Sequence, residues 1–137
     1  MSETENMNAM TVDEAIAVAD FRAALRQFLR RTERVARTSG LTPQRYLLLL
    51  MIKGSQSGDE QSTVTELSER LQLAQSTVTE LVRRAEDAGL IERERSTSDA
   101  RVAHLRLSAE GERRLNNAFT GLASERRALS EAVSHVG

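Results

Sequence analysis

One run of ten residues concentrates side chains that hydrogen-bond in both directions: Gln75, Ser76, Thr77, Thr79, Glu80, Arg83 and Arg84. Val78, Leu81, Val82 and Ala85 recur between and after them at helical spacing. A helix that buries this apolar stripe presents the polar set on its opposite face, with Gln75 at its exposed N-terminal end. The chemistry on offer is that of touching base edges and phosphates. The Gln75 amide can pair in a bidentate way with adenine, and the hydroxyls of Ser76, Thr77 and Thr79 can meet bases, thymine methyls or phosphates. Arg83 and Arg84 are better placed for the sugar-phosphate backbone. Glu80 has two readings that the residues leave open: it accepts from a cytosine amino group, or it weakens binding by facing phosphates. A second basic set, Arg93, Arg95, Arg101 and Arg106, flanks a polar tip at Ser96 to Ala100.

The surrounding sequence supplies elements to position these groups. Thr63 followed by Glu66 forms a capping box, and Val64, Leu67 and Leu71 continue it as a helix of about two turns. Only Gln72, Leu73 and Ala74 separate it from the next helix, which gives a helix-turn-helix. Gly89 suits a left-handed residue just past the second helix, and Leu90 suits the apolar contact of a Schellman motif, so that helix should stop at Ala88. The period then changes to two, with Ile91, Arg93 and Arg95 leading into the tip and Val102, His104 and Arg106 alternating with Ala103, Leu105 and Leu107. A plain hairpin capping a helical core is one reading. Four arginines on adjacent strands beside the polar helix favour a DNA-binding wing.

At this point the chain resembles the winged helix-turn-helix of the MarR (multiple antibiotic resistance regulator) transcription factors. The matching pieces are LTPQRYLLLL at Leu41 to Leu50, VTELSERL at Val64 to Leu71, STVTELVRRAEDAGLIERE at Ser76 to Glu94, Asp99-Ala100-Arg101, and LRLSAEG at Leu105 to Gly111. The resemblance implies a homodimer with a recognition helix in each of two major grooves. It also implies that Arg101 enters a minor groove and that Asp99 positions the wing through a salt bridge. The sequence departs from the family at Ala74, where a hydroxyl cap is usual, at Glu80, where a basic residue is frequent, and in the longer loop GSQSGDEQ from Gly54 to Gln61. Tyr46 sits where the family often has an aromatic residue near its effector pocket, and core packing is the competing role.

At 137 residues the chain has the length of one domain. It has no cysteine, so disulfides, thiolate metal sites and thiol redox switching are excluded. No apolar run approaches a membrane span, and the N-terminal MSETENMNAM is unlike a signal peptide, which leads to the expectation of a cytoplasmic protein with no membrane contact. The net charge of −1 conceals an uneven distribution: residues 1–20 hold five acids and no base, whereas residues 21–53 hold eight bases against Glu33 alone. That asymmetry suits a solvated arm or charge pairing between subunits.

The pattern predicts a mainly α fold with a small β-wing, a winged helix-turn-helix with dimerisation helices at both ends. Residues 1–10 read as an acidic flexible N-terminus, 11–40 as an N-terminal dimerisation helix, 41–107 as the DNA-binding domain and 108–137 as a C-terminal dimerisation helix. Thr11 caps the first helix, on which Arg22, Arg26, Arg30 and Arg34 share a face, either solvated or binding phosphate or an anionic effector. Thr42 and Pro43 start a second helix whose Tyr46 to Ile52 should be buried on all sides. From Ser108 a single helix is expected to run toward Ala132, without the further C-terminal helix of many members, so the seam should lean on residues 11–38.

Arg22, Arg26 and Tyr46 form the candidate pocket for a small aromatic or lipophilic effector. His104 and His135 are the only histidines, and no serine has a nucleophile's context, so no catalytic residue, metal site or cofactor is expected. The sequence reading is thus a homodimeric repressor that binds a pseudo-palindromic operator in double-stranded DNA. The alternative is an antirepressor, a protein-interaction module that keeps the fold without useful DNA affinity.

Overall fold

A computed structural model describes residues 8–95 and 102–137. The expected flexible N-terminus therefore lies mostly outside the described residues, as do Asp99 and Arg101 of the wing. The described residues form six helices and two strands, in agreement with the mainly α reading. No helix among them is long and apolar enough to cross a membrane.

Helix α1 spans Val12–Thr38 and opens with a capping box, in which the Thr11 amide donates to Glu14 Oε1 and the Glu14 amide to Thr11 Oγ1, both at 3.1 Å. Gly40, at φ +78°, turns the chain into α2, Pro43–Lys53, whose amide at Arg45 donates to Thr42 Oγ1 at 3.1 Å. Proline fits at the start of α2 because its missing N–H has no intrahelical partner there. Tyr46, Leu48, Leu49 and Ile52 are buried against α1, α3, α4, α5 and β2, but Leu47 is 42% exposed. Burial on all sides thus fails for one stripe of α2, because a single chain supplies no element to cover it.

Helix α3, Val64–Leu71, has its own capping box at Thr63 and Glu66. Gln72 then takes the left-handed conformation at φ 57°, the sharp step of the helix-turn-helix, and α4 follows as Gln75–Asp87. Ala74 gives α4 no side-chain cap. At its end the Leu90 amide donates to the Ala85 carbonyl and the Gly89 amide to the Glu86 carbonyl, the two bonds of a Schellman motif.

Strands β1, Ile91–Arg95, and β2, Ala103–Leu107, pair antiparallel with Ile91 opposite Leu107 and Arg95 opposite Ala103. Ser62 adds an isolated antiparallel bridge to β2 that the sequence did not signal, exchanging backbone bonds with Leu105 at 3.0 and 2.8 Å. That bridge carries the loop before α3 onto the sheet.

The last segment corrects the expected single helix. Helix α5, Ala109–Gly121, ends at Leu122 (φ −110°, ψ 11°), and α6, Ala123–Ser134, begins anew. Two contacts account for the break. Leu122 is wholly buried, and a Cβ on Gly121 would lie 2.9 Å from Val35 Cγ1, so α5 meets α1 too closely to continue straight. Arg126 returns to donate a second hydrogen bond, at 2.5 Å, to the Phe119 carbonyl, which also accepts from the Leu122 amide at 3.2 Å, and it lies 3.6 Å from the Phe119 ring centroid, a cation–π contact. The redirected α6 runs along α1.

Candidate nucleic-acid interface

Helix α4 is seated by its apolar stripe: Val78, Val82 and Ala85 are fully buried and Leu81 nearly so. Its other side carries Gln75, Ser76, Thr77 and Thr79, all exposed in the first turns. Gln75 Nε2 is 3.4 Å from Thr65 Oγ1, which links the start of α4 to α3. The structure therefore brings the seven polar residues of the helix onto one accessible surface.

One turn further along, that surface is an ion cluster. Glu80 accepts from Arg83 Nη2 at 2.6 Å, from Arg83 Nε at 3.0 Å and from Arg84 Nε at 3.0 Å, while Arg83 Nη1 also reaches Asp87 Oδ2 at 3.0 Å. The Arg83 hydrogen bonds, followed by those of Arg84, hold the Glu80 carboxyl down at about 2, and the same contacts push the Arg83 guanidinium up. Both arginines thus stand beside a carboxylate that is ionised at neutral pH. Residues 75–87 hold three acids, Glu80, Glu86 and Asp87, against these two bases.

The wing is tied to α4 by Arg93, whose Nη2 meets Glu86 Oε1 at 2.7 Å. That hydrogen bond raises the Arg93 guanidinium pKa. Arg106 on β2 lies 3.7 Å from Glu92 and 3.5 Å from Glu94 across the ladder. Of the four wing arginines, Arg93 and Arg106 thus each stand beside acids, supplied by the adjoining helix and by the strand register. Arg95 closes the described part of β1, and Asp99 and Arg101 lie beyond it.

Glu86 is a residue the sequence reading missed. Its only signal was an acid at the next-to-last position of α4, followed by an arginine in the next strand.

Arg22 and Arg26 line an open depression of about 330 Å³ on α1 with Leu25, Leu29, Arg30 and Glu33. Tyr46 is not in its lining; it is 6% exposed in the core, where burial pushes its phenol pKa up and the Arg126 charge opposes that shift. The described chain does not bring the three candidate effector residues together.

Residues 39–102 match the sequence model of the MarR family. The chain carries a MarR-family winged helix. The YusO protein of Bacillus subtilis is similar to it over 88% of this chain and 85% of its own, at 26% identity and a TM-score of 0.64. The transcriptional regulator Tm0710 of Thermotoga maritima is also 26% identical, over 85% of this chain and 77% of its own, with a TM-score of 0.64. A mutant MarR from E. coli, complexed with operator DNA, shares the fold at 16% identity and a TM-score of 0.65, over 85% of this chain and 79% of its own. Among curated proteins, none matches the sequence significantly.

The break at Leu122 puts two helices, α5 and α6, where the sequence led to the expectation of one.

Proposed function

We propose that the protein is a cytoplasmic, homodimeric DNA-binding transcriptional regulator, acting as a repressor on a pseudo-palindromic operator. The observation that carries this reading is the first part of α4: Gln75, Ser76, Thr77 and Thr79 stand exposed on a helix whose opposite stripe is locked into the core. In this docking mode the start of the recognition helix meets base edges in the major groove. The complex of E. coli MarR with operator DNA lends the reading support by likeness of fold. Arg95 and Arg101 serve the wing, with Arg101 entering the minor groove, where its charge gains from the enhanced negative potential, and Asp99 steadying it.

The dimer is supported by what one chain leaves uncovered. Val12 and Ile16 on α1 and Val133 on α6 are each more than half exposed, and no residue of α6 is buried. A small aromatic or lipophilic effector releases the DNA, and the Arg22–Arg26 depression provides charge and apolar surface for an aromatic acid. A panel of aromatic acids and lipophilic phenols should then contain a compound that raises the melting temperature; no shift with any of them removes the effector from the proposal.

A second reading, an antirepressor that works by protein contact, is favoured by the paired state of Arg83 and Arg84. Selection of bound sequences from random duplexes separates the two readings. The repressor recovers an inverted repeat with half-sites about one helical turn apart, whereas an antirepressor enriches nothing even at low salt.

A further inference from the structure

The motif Glu-x-x-Arg-Arg occurs twice, at Glu80, Arg83, Arg84 and at Glu110, Arg113, Arg114, and both carboxylates sit between their two arginines. The two clusters have been put to different uses. In α5, Arg114 continues past Glu110 to donate to the Gly40 carbonyl at 2.7 Å, closing the end of α1. In α4 the side chains of Arg83 and Arg84 are 59% and 61% exposed, and their hydrogen bonds among the described residues go to the acids Glu80 and Asp87. The α4 cluster holds two exposed cations on the same helix as the exposed hydroxyls of its first turns and, among the described residues, makes no hydrogen bond to another element.

We infer that Glu80 is a specificity-determining residue that holds Arg83 and Arg84 back from non-cognate DNA and releases them to phosphates only where a base-edge donor, such as a cytosine amino group, takes its carboxylate. The inference rests on the DNA-binding reading above. On a non-cognate duplex the carboxylate keeps its arginine partners and adds its own repulsion toward phosphates, so two potential counterion-releasing contacts per subunit are lost. At a cognate base the carboxylate gains a hydrogen bond to the donor, and the arginines exchange one anionic partner for another. The outcome is discrimination through exchange of ion pairs, in which weak general affinity is the means of selection.

The test uses the full-length protein, its selected operator and a scrambled duplex of equal length, with affinity measured across a salt series. Glu80→Gln should tighten scrambled-duplex binding about tenfold or more at low salt and steepen its log–log salt dependence by up to about 2 per subunit. It should change operator affinity much less, so the ratio between the two sites falls. In an Arg83→Gln/Arg84→Gln background the same substitution should no longer steepen the dependence, and Glu110→Gln should leave both affinities unaltered.

Equal tightening on both duplexes overturns the inference, because Glu80 is then only an unfavourable charge. An unchanged scrambled-duplex affinity overturns it as well, because the arginines then do not reach the backbone. In both cases operator binding by the unmodified protein leaves the regulator reading standing. If neither protein binds any duplex at low salt, the regulator reading itself falls and takes the inference with it.

Discussion

The winged-helix lobe and the pair α1 and α6 are built to different standards of completeness. In the lobe, Leu48, Leu49, Ile52, Leu67, Val78, Val82, Leu90 and Leu105 have no exposed surface at all. In the terminal pair, α1 buries only Thr32, Val35 and Ala36, all in its second half, and α6 buries nothing. The lobe is a closed core that one chain can fill. The terminal layer leaves apolar residues exposed, the surface on which the proposed second copy would sit.

The difference is broken most directly by removing equal amounts of leucine from each region. Leu48→Ala should cost about 3 kcal/mol, because a fully enclosed side chain leaves a cavity that its neighbours fill poorly. Leu29→Ala on α1, at 55% exposure in one chain, should cost under about 0.5 kcal/mol when the protein is dilute. Urea denaturation at two protein concentrations measures both. If Leu29→Ala becomes costlier as concentration rises, the second copy covers that face; if the two substitutions cost the same when dilute, the contrast between the regions is wrong.

Two glycines sharpen it next. A Cβ on Gly111 would lie 2.1 Å from the Leu90 carbonyl oxygen, a backbone atom fixed by the bond it accepts from the Ser108 amide. Gly111→Ala should therefore force α5 off the wing at a cost of about 3 kcal/mol. A Cβ on Gly121 would meet only the Val35 side chain at 2.9 Å, which can rotate, and Gly121→Ala should cost about 1 kcal/mol. Similar losses for the two variants would mean that the joint to the terminal layer is as unyielding as the lobe.

The capping boxes make a matched pair of smaller effect. Thr63 and Thr11 use the same two bonds, but α3 is packed into the core whereas the start of α1 is exposed. Thr63→Ala should lower global stability by about 1 kcal/mol. Thr11→Ala should leave it nearly unchanged and appear instead as faster amide exchange in the first turn of α1.

What was legible in the sequence follows the same division. Thr63 with Glu66, Gly89 with Leu90, and the apolar stripe of α4 are local signals, and each appears in the structure as the sequence implies. The features that escaped notice depend on partners distant in the chain. Leu122 breaks a helix-favouring run because Gly121 presses on Val35, Ser62 joins the sheet through Leu105, and Arg93 finds Glu86. The polar face of α4 could be named residue by residue from its period. That its two arginines are already occupied could not, because adjacent Glu and Arg positions on a helix are equally compatible with free and paired side chains.

The smallest effect belongs to the joint itself. Glu110 lies between Arg113 and Arg114, and their hydrogen bonds, Arg113's first, hold its carboxyl at about 2 against an ordinary 4.5. A carboxyl whose pKa is lowered by folding contributes stability that is complete above its ordinary value and disappears as the pH falls from there through the folded value. The unmodified protein should therefore lose this contribution on acidification from about pH 5 to about pH 2, whereas Glu110→Gln has nothing to lose in that window. The melting temperatures of the two proteins should differ slightly at neutral pH and converge toward the acid end, with the gap also narrowing in high salt because the cluster is open to solvent. A gap that stays constant across the whole range would assign Glu110 a packing role. It would also remove ion pairing from the link by which Arg114 holds the Gly40 carbonyl and joins the lobe to α1.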